Sequence, residues 1–225
     1  MDKTEPGMLG KIKQKLIDTK QKWAADGRLL TGEGASPQAP EGRRLPPGQR
    51  LVKDWPVLDL GVQPLVSPRD WKLSVGGAVE NLIAWSFQDF MAQPQVEIVS
   101  DIHCVTGWSR YDNRWQGVSI KHFLSVVRPK PGATALMLHG HDGYTTNVRL
   151  ETIDQDDVLI AHSWEGKPLT REHGGPVRLV MPRKYFWKSA KWLKHIAFLD
   201  KDGPGFWEAR GYHMDGDPWR EERYG

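Results

Sequence analysis

The one cysteine of the chain, Cys104, lies in a segment suited to redox or metal chemistry. It follows His103 in the stretch HCVTGWS, directly after the β-branched run VEIVSDI at residues 96–102. The thiol could be a buried apolar group, a nucleophile activated by His103, or a soft ligand for a redox metal. Neighbouring side chains of an extended chain point in opposite directions, so His103 is not automatically within reach of the thiol. The residues alone leave all three interpretations open.

Histidines form a second group of candidate ligands. The chain has eight, and His139 and His141 flank Gly140 in LHGHDGY. This spacing would put both imidazoles on one face of an extended segment. A zinc site would need further ligands at suitable spacing, and none stands out in the sequence.

A basic segment, REHGGPVRLVMPRKYFWKSAKWLKHI, is the most informative stretch. It holds, among its basic residues, His173, Arg178, Arg183, Lys184, Lys188, Lys191 and Lys194. A solvated basic face is one interpretation. However, PVRLV has the pattern of an apolar strand, and an arginine that points into an interior needs an anionic or multi-acceptor partner. A phosphate ester would satisfy Arg178 through paired hydrogen bonds.

Composition and missing motifs exclude several classes of function. The 225 residues carry a net charge of only +3, without the basic stripe expected of a nucleic-acid-binding protein. Neither GxGxxG nor GxxxxGKS/T occurs, so the expected anion is not a dinucleotide or ATP. Hydrophobic residues make up 39% of the chain, and the apolar runs are too short to span a membrane. The first residues lack the apolar core of a secretion signal, which predicts a cytoplasmic protein.

The N-terminal part of the chain differs in composition from the rest. Apolar residues recur there at helical spacing between lysines, which predicts an amphipathic helix over roughly the first two dozen residues. These apolar residues are Leu9, Ile12, Leu16 and Ile17. Residues 31–50 are rich in glycine and proline, as is typical of an extended arm. We therefore expect an N-terminal helix and arm at residues 1–50 and one domain at residues 51–225.

The elements of this domain are predicted to be mostly short strands. Strands are expected in WKLSVGGAV, VEIVSDI, ATALML, DVLIAH, PVRLVM and HIAFL. Short helices are expected in SFQDFM and SIKHFLSVV, with Ser86 and Ser119 as their N-caps. Cys104 would lie just past a strand end, in an irregular loop. Few helices and no regular alternation of strand and helix favour an α+β domain dominated by strands.

Several segments together resemble the molybdenum domain of the sulfite oxidase family. HGGPVRLVMPRKYFWKSAKWLKHIAFL is similar to its pterin-binding segment, and HCVTGWS is similar to its molybdenum-ligand loop. LHGHDGYTTNVRLE and DVLIAHSWEGKPL resemble the region that completes the cofactor pocket. The tail GFWEARGYHMDGDPWREERYG resembles the short, single-domain, cytoplasmic bacterial branch. The resemblance spans residues 51–225 and implies the β-rich α+β fold of the molybdopterin-binding oxidoreductases.

This resemblance assigns roles to individual residues. Cys104 matches the thiolate ligand of molybdenum, and it is also the expected catalytic residue. His173 and Arg178 match the pair in the HGxPVR pattern that contacts molybdopterin. The next pterin-binding turn is matched by Ser189, Ala190 and Lys191. The implied cofactor is molybdenum-molybdopterin, whose phosphate Arg178 and Lys191 would hold, while a thiolate would complete the sulfur shell of the metal.

Further pocket residues are expected from their position close to these motifs. His139 is expected to bind the cofactor, and Asp142 and Tyr212 are expected to be catalytic. Trp108 and His141 are candidates for the pocket wall. A structural role is an alternative interpretation for each of these residues.

The resemblance implies two-electron oxygen-atom transfer to or from a small sulfur or nitrogen oxo compound. No haem domain is recognisable, so the electrons are expected to pass through an unidentified partner. Two departures from animal and plant sulfite oxidases weigh against sulfite: the segment VLDLGVQPLV lacks their arginine and histidine, and Ser109 stands where an arginine follows their cysteine. The dipeptide WS in CVTGWS is closer to the catalytic subunit of the periplasmic methionine sulfoxide reductases.

Two other classes of function compete with the molybdenum enzyme. A metal-free thiol enzyme would use Cys104 with His103, and it would have a thiol of depressed pKa that is alkylated rapidly. A non-catalytic anion-binding protein would use the basic segment to bind an anionic partner, with the lysine-rich first helix as a docking element. The resemblance favours the molybdenum enzyme over both.

Overall fold

The computed structural model describes residues 8–25 and 44–225, so most of the predicted arm at residues 31–50 lies outside the described residues. The helices in this part are α1 (Met8–Ala25), α2 (Phe87–Met91), α3 (Ile120–Val127) and α4 (Leu150–Ile153). The strands are β1 (Arg50–Leu51), β2 (Lys72–Gly77), β3 (Ile83–Ser86), β4 (Gln95–Cys104), β5 (Trp108–Ser119), β6 (Ala135–Gly140), β7 (Thr145–Arg149), β8 (Leu159–Trp164), β9 (Lys167–Pro168), β10 (Arg178–Val180) and β11 (Leu193–Leu199). The strand-rich α+β class predicted from the sequence is confirmed.

The first sheet carries the cysteine. Its strands follow the order β1-β5-β8-β10, with β4 added on β5 and β9 on β8. Strands β4 and β5 form an antiparallel hairpin in which Cys104 pairs with Trp108 across a short turn. Gly107 adopts a φ of 88° in this turn, a conformation that glycine adopts without steric strain. Cys104 is therefore the last residue of strand β4. The sequence predicted that it would lie just after the end of this strand, in a loop.

The second sheet has the order β3-β2-β11-β6-β7. Strand β11 lies at its centre, parallel to β2 and antiparallel to β6. One continuous buried cluster contains side chains from both sheets, including Val118 and Ile160 of the first sheet and Leu138 and Ile196 of the second. Burying each aliphatic side chain of this kind contributes roughly 1.5–3 kcal/mol, so this shared core holds the sheets together.

The two short helices have the caps that the sequence predicted. Ser86 and Asp89 form a capping box at the start of α2, and the Ser119 side chain accepts a hydrogen bond from the backbone of His122 at the start of α3. Helix α3 buries Ile120, Phe123, Leu124 and Val127, which repeat at the spacing of one helical face. Both helices therefore form where local sequence signals and tertiary burial agree.

The N-terminal helix and the end of the arm both contact the domain. Ile17 of α1 is buried in the shared core. The described end of the arm leads into β1, which pairs in parallel with β5 next to the cysteine turn. Gln49 is buried there, and its side chain donates a hydrogen bond to the carbonyl of Cys104 at 3.2 Å. The boundary expected at Leu51 thus falls inside a strand that supports the cysteine hairpin.

Candidate active site

A cavity opens beside the cysteine hairpin. The residues predicted for the site that line it are Cys104, Trp108, Asp142, His173, Arg178, Ser189, Lys191 and Tyr212. They come from the cysteine hairpin, the turn after β6, the residues around β10 and the C-terminal segment. The fold therefore assembles one site from segments far apart in sequence.

Cys104 lines the cavity and is 6% exposed. Its Sγ is 3.1 Å from the hydroxyl oxygen of Thr106. Burial raises the pKa of the thiol, while hydrogen bonds from Thr106 and the positive charges of Lys20 and Arg223 act in the opposite direction. A buried thiol of this kind is a poor free nucleophile, because the thiolate is the reactive form. A metal ion would keep it deprotonated.

His103 lies on the opposite face of β4 from the thiol. Its Nδ1 is 2.8 Å from the Ser109 hydroxyl, which in turn donates to Gln49 at 3.2 Å. Burial lowers the pKa of His103 to about 4, so the imidazole is neutral near pH 7. The alternation of side chains along β4 thus separates His103 from Cys104, as expected for adjacent residues in a strand. Ser109 occupies the same face as His103 and does not line the cavity.

Arg178 is the most buried cation of the cavity wall. Its guanidinium donates to three backbone carbonyls, those of His173 at 2.8 Å, Ser189 at 2.8 Å and Leu179 at 3.2 Å. Burial lowers its pKa to about 9. The Ser189 hydroxyl accepts a hydrogen bond from the Met181 amide at 2.9 Å and so holds this turn against β10. The arginine therefore ties together the two segments that the sequence assigned to pterin binding.

His173 stacks face to face on Trp55, with ring centroids 3.8 Å apart and planes inclined by 2°. Burial, and then the charges of Arg178 and Lys191, lower the pKa of His173 to about 4. The imidazole is thus neutral and held in one orientation. Trp55 lies before the matched motifs, and no local signal in the sequence marks it as a site residue.

Lys191 borders the same end of the cavity. Its ammonium donates to the Glu172 carbonyl at 2.8 Å and lies 4.0 Å from Asp59. Burial and the charge of Arg178 lower its pKa to about 8, against the attraction of Asp59. For Asp59, burial favours a higher pKa, but hydrogen bonds from Gln63 and Gly61 and the charges of Lys191 and Lys20 lower it overall. Both groups are therefore charged near pH 7, although Lys191 lies close to its titration range.

Asp142 and Tyr212 also line the cavity. Asp142 accepts a hydrogen bond from the Tyr144 amide at 3.0 Å. Gly140 comes so close to this turn that an added Cβ would lie 2.5 Å from Asp142 Oδ1 and 2.7 Å from the Lys191 carbonyl. Burial raises the pKa of Tyr212, and the nearby Tyr224 and Cys104 raise it further by smaller amounts. The phenol is therefore protonated near pH 7 and can donate a hydrogen bond.

Three predicted residues do not line the cavity. His139 lies on β6 with its ring centroid 5.3 Å from that of His195, so the structure does not bring it to the expected cofactor site. His141 has its Nε2 buried outside the cavity. Ala190 is 1% exposed, and its carbonyl accepts a hydrogen bond from the Leu179 amide at 2.9 Å. The spacing of His139 and His141 predicted that both lie on one face of an extended segment. It does not indicate whether that face borders the cavity.

Several lining residues were missed by the sequence reasoning. They are Lys20, Trp55, Pro56, Leu58, Asp59, Leu60, Val105, Thr106, Tyr144, Phe186, Trp187 and Trp207. Most of them are aromatic or apolar, so they make the walls of the cavity largely water-excluding. Aromatic side chains more often fill cores than line sites, and this is why the eleven tryptophans of the chain gave no usable signal.

The donor set of the cavity fits a metal carried by a pterin that bears a phosphate group. The lining offers a soft sulfur ligand for the metal, and it offers Arg178 and Lys191 beside the neutral, stacked His173 for the phosphate. Among the described residues, no group of three or more His, Cys, Asp and Glu side chains could hold a metal ion. A metal here would thus take Cys104 from the protein and its other ligands from the pterin dithiolene, which is the arrangement that suits a soft redox metal.

Fold and cavity together define a strand-rich oxidoreductase domain with a site for an anionic metal cofactor. Residues 60–207 match the family described as oxidoreductase molybdopterin binding domain. This match covers more than half of the chain, and the chain therefore belongs to that family. It is an enzyme, and its cofactor is molybdenum-molybdopterin, as the sequence predicted.

Individual relatives agree with this family. The chain is 44% identical over 192 residues to the uncharacterized oxidoreductase YuiH of Bacillus subtilis (strain 168). The aligned region covers 85% of this chain and 97% of that protein. The chain is 28% identical over 158 residues to the protein-methionine-sulfoxide reductase catalytic subunit MsrP of Ralstonia nicotianae. This aligned region covers 62% of this chain and 47% of that protein. The chain thus spans nearly the whole of the first relative and about half of the second.

A solved structure supports the fold. The sulfane dehydrogenase SoxCD of Paracoccus pantotrophus superimposes with a TM-score of 0.57 at 23% identity, over 62% of this chain and 40% of that chain. None of the helices in residues 8–25 and 44–225 combines the length and the apolar character needed to cross a membrane.

Proposed function

We propose that this enzyme transfers an oxygen atom to or from a small sulfite-like or sulfoxide-like substrate at a molybdenum centre ligated by Cys104. The observation that carries the proposal is the cavity, whose lining contains the one thiol of the chain together with His173, Arg178 and Lys191. When bound, the molybdenum-molybdopterin group supplies the two-electron redox chemistry. The protein binds and orients that group and controls access to it.

The two ends of the cavity would have different tasks. At one end, Cys104 would bind the metal through its thiolate. At the other, Arg178 and Lys191 would hold the pterin phosphate by charge-assisted hydrogen bonds, and the neutral His173 could accept or donate a hydrogen bond without adding charge. The stacking of His173 on Trp55 fixes the imidazole before the cofactor binds, which lowers the entropic cost of binding.

The aromatic walls near Cys104 would exclude water from the reacting atoms. Trp108, Trp187, Trp207 and Tyr212 line this part of the cavity. Because the pKa of Tyr212 is raised, its phenol would keep its proton and donate a hydrogen bond to a substrate oxygen. Asp142 would contribute at the far side of the cavity, where its carboxylate is held by the Tyr144 amide.

Electrons would reach or leave the centre through a separate partner. The name of the Ralstonia nicotianae relative, a catalytic subunit, describes part of a multi-subunit enzyme and supports this proposal. The direction of the reaction and the cytoplasmic location both stay predictions. Either direction needs the same placement of substrate, metal ligand and phenol.

The geometry does not favour the metal-free thiol enzyme. Such an enzyme needs a base in contact with the thiol, yet His103 points to the other face of β4 and is bonded to Ser109. Burial also raises the pKa of Cys104, opposite to the shift that a thiol nucleophile requires. A binding protein without a metal would not need a thiol at the end of its anion site.

Elemental analysis tests the proposal. Protein purified from a host that makes molybdopterin should contain about one molybdenum per chain, because one thiolate binds one metal centre. Cys104→Ser should lose most of the metal, since a neutral hydroxyl is a poor ligand for a soft metal. Ser125→Ala, which alters an exposed hydroxyl on α3, serves as the matched control and should keep the full molybdenum content.

Two results would contradict the proposal. Folded wild-type protein without molybdenum, expressed in the competent host, would remove the metal centre. Full molybdenum content in Cys104→Ser would show that the metal does not depend on the thiol. With the metal confirmed, reduction of dimethyl sulfoxide and oxidation of sulfite by the same preparation, with artificial electron carriers, distinguish the two substrate classes.

A further inference from the structure

The cavity contains a cation that lies outside the matched family segment. Lys20 belongs to α1, whereas the family match begins at residue 60. Ile17, three residues earlier and therefore on the same helical face, is 5% exposed and fixes α1 against the core. The Lys20 ammonium lies 5.0 Å from the ring centroid of Trp207. The helix thus contributes both a wall and a charge to the site.

Of the cations that line the cavity, Lys20 is the one whose charge acts on the thiol. Its electrostatic partners are Cys104 and then Asp59, whereas Arg178 acts on His173 and Lys191. Arg178 already donates to three carbonyls, and Lys191 donates to Glu172 and faces Asp59. Lys20 and Lys191 thus share Asp59 as a neighbour, but Lys20 is the one of the two whose charge also acts on Cys104.

Among the described residues, none accepts a hydrogen bond from the Lys20 ammonium, so its donors can bind a ligand. An ammonium group has three donors. Within the residues that the structure describes, its only direct contact with a charged or aromatic group is the Trp207 ring. A partly buried cation in aromatic surroundings is costly unless an anion or acceptor neutralises it, and burial indeed lowers the pKa of Lys20. An anionic group in the cavity would supply the missing acceptor.

The cysteine hairpin itself supplies no such cation to the cavity. Ser109 lies on the opposite face of the sheet, bonded to His103 and Gln49. Arg110 also faces elsewhere: it donates to the Lys53 carbonyl at 3.1 Å and stacks over Trp164. Arg223 donates a hydrogen bond to the Val105 carbonyl, and it does not line the cavity. Among the cations that line the cavity, Lys20 of α1 is therefore the one whose charge acts on the thiol.

We propose that Lys20 is a substrate-binding residue whose ammonium donates hydrogen bonds to an oxoanion group of the substrate beside the metal. This inference rests on the proposed function and narrows its substrate class to small oxoanions. It also assigns a role to α1, which completes the substrate end of the cavity. The aromatic wall orients the substrate, and Lys20 supplies the charge that selects it.

Sulfate binding to the holoenzyme tests the proposal, because the cofactor then occupies the phosphate end. Tryptophan fluorescence, to which Trp207 contributes, reports binding. Lys20→Met keeps the length and apolar stem of the side chain but removes its charge, and should raise the Kd for sulfate about tenfold or more, as expected for a lost charge-assisted hydrogen bond. Lys20→Arg should stay close to the wild-type Kd.

Two further variants separate this role from a general effect of charge or packing. Lys22→Met removes an exposed lysine of the same helix and should leave the Kd unchanged. Ile17→Ser weakens the anchor of α1 and should raise the Kd in the same direction as Lys20→Met. A wild-type Kd in Lys20→Met, an equal loss in Lys22→Met, or no sulfate binding by the wild-type enzyme overturns the proposal.

Molybdenum analysis of the same samples keeps the two proposals distinguishable. All four variants should contain as much molybdenum as the wild type, because none alters Cys104 or the phosphate end. Wild-type protein without molybdenum refutes the proposed function. Full molybdenum content with an unchanged Kd in Lys20→Met refutes only the role of Lys20.

Discussion

Arg178 stabilises the fold at the place where we propose that the cofactor phosphate binds. Its three hydrogen bonds go to carbonyls on both sides of the basic segment, at His173, Leu179 and Ser189. A planar guanidinium can reach all three at once, whereas an ammonium on a flexible stem cannot keep the same geometry. The arginine therefore shapes the phosphate end of the cavity before any cofactor arrives.

Arg178→Lys should weaken both functions of this residue. Loss of well-oriented charged hydrogen bonds in a buried site should lower the free energy of unfolding by about 2–3 kcal/mol. The molybdenum content should fall well below that of the wild type, because the phosphate end loses its shape. Urea unfolding and elemental analysis measure the two effects. Arg183→Lys is the control, because Arg183 is exposed and paired with Asp157, and it should change neither quantity. Equal unfolding free energies and equal molybdenum contents in the two variants would refute the argument.

The cysteine hairpin depends on elements that are far from it in sequence. Gln49, next to β1, donates to the Cys104 carbonyl, and Arg223 of the C-terminal segment donates to the Val105 carbonyl. Arg223 is 1% exposed, and its guanidinium also lies 5.0 Å from the ring centroid of Tyr185. These two buried side chains therefore add hydrogen bonds from outside the hairpin to the backbone at and next to the thiol.

Arg223→Met should therefore destabilise the hairpin. Removing the guanidinium leaves the Val105 carbonyl buried without its donor, which should lower the free energy of unfolding by about 2–4 kcal/mol. Hydrogen exchange at the amides of residues 104–108 should become faster relative to that of α3. Arg220→Met provides the comparison, because Arg220 lies on the same segment but has a side chain that is 72% exposed. Unchanged exchange in Arg223→Met would mean that the tail does not support the hairpin.

Sequence reasoning succeeded where the signal was local. The capped helices α2 and α3 and the apolar strands have their patterns in short windows, and the motifs around Cys104, His173 and Arg178 are contiguous segments. The rest of the cavity comes from tertiary contacts that no window contains. Trp55 and Lys20 reach the site from before the matched segment. The spacing of His139 and His141 predicted a shared face, but β6 ends at Gly140, so of the two only His139 lies on the strand. The pairing of β6 with β11 and β7 in the second sheet decides which way the His139 side chain points.

At the scale of the whole molecule, the enzyme buries two neutral histidines on either side of the strand that ends in Cys104. His103 lies behind the cysteine hairpin, and His173 lies in the cavity. For both, burial lowers the pKa to about 4, from 6.5 for an accessible histidine. Each of them therefore couples the stability of the fold to pH.

The sign of this coupling follows from proton binding. Between pH 6.5 and about pH 4, each histidine is protonated in the unfolded chain but neutral in the folded enzyme. The unfolded state thus binds more protons, so the free energy of unfolding falls as the solution is acidified through this window. Each histidine contributes a slope of up to about 1.4 kcal/mol per pH unit.

His103→Asn isolates one of the two contributions away from the cavity. Asparagine can keep the hydrogen bond to Ser109 but does not titrate, so the variant should lose stability less steeply than the wild type as the pH falls from 6.5 towards 4. The difference between the two slopes should approach about 1.4 kcal/mol per pH unit, because the variant lacks one titrating group. Urea unfolding of both proteins at several pH values across this window measures it. Parallel curves would show that His103 titrates alike in the folded and unfolded states, and the loss of stability in acid would then have to come from other groups.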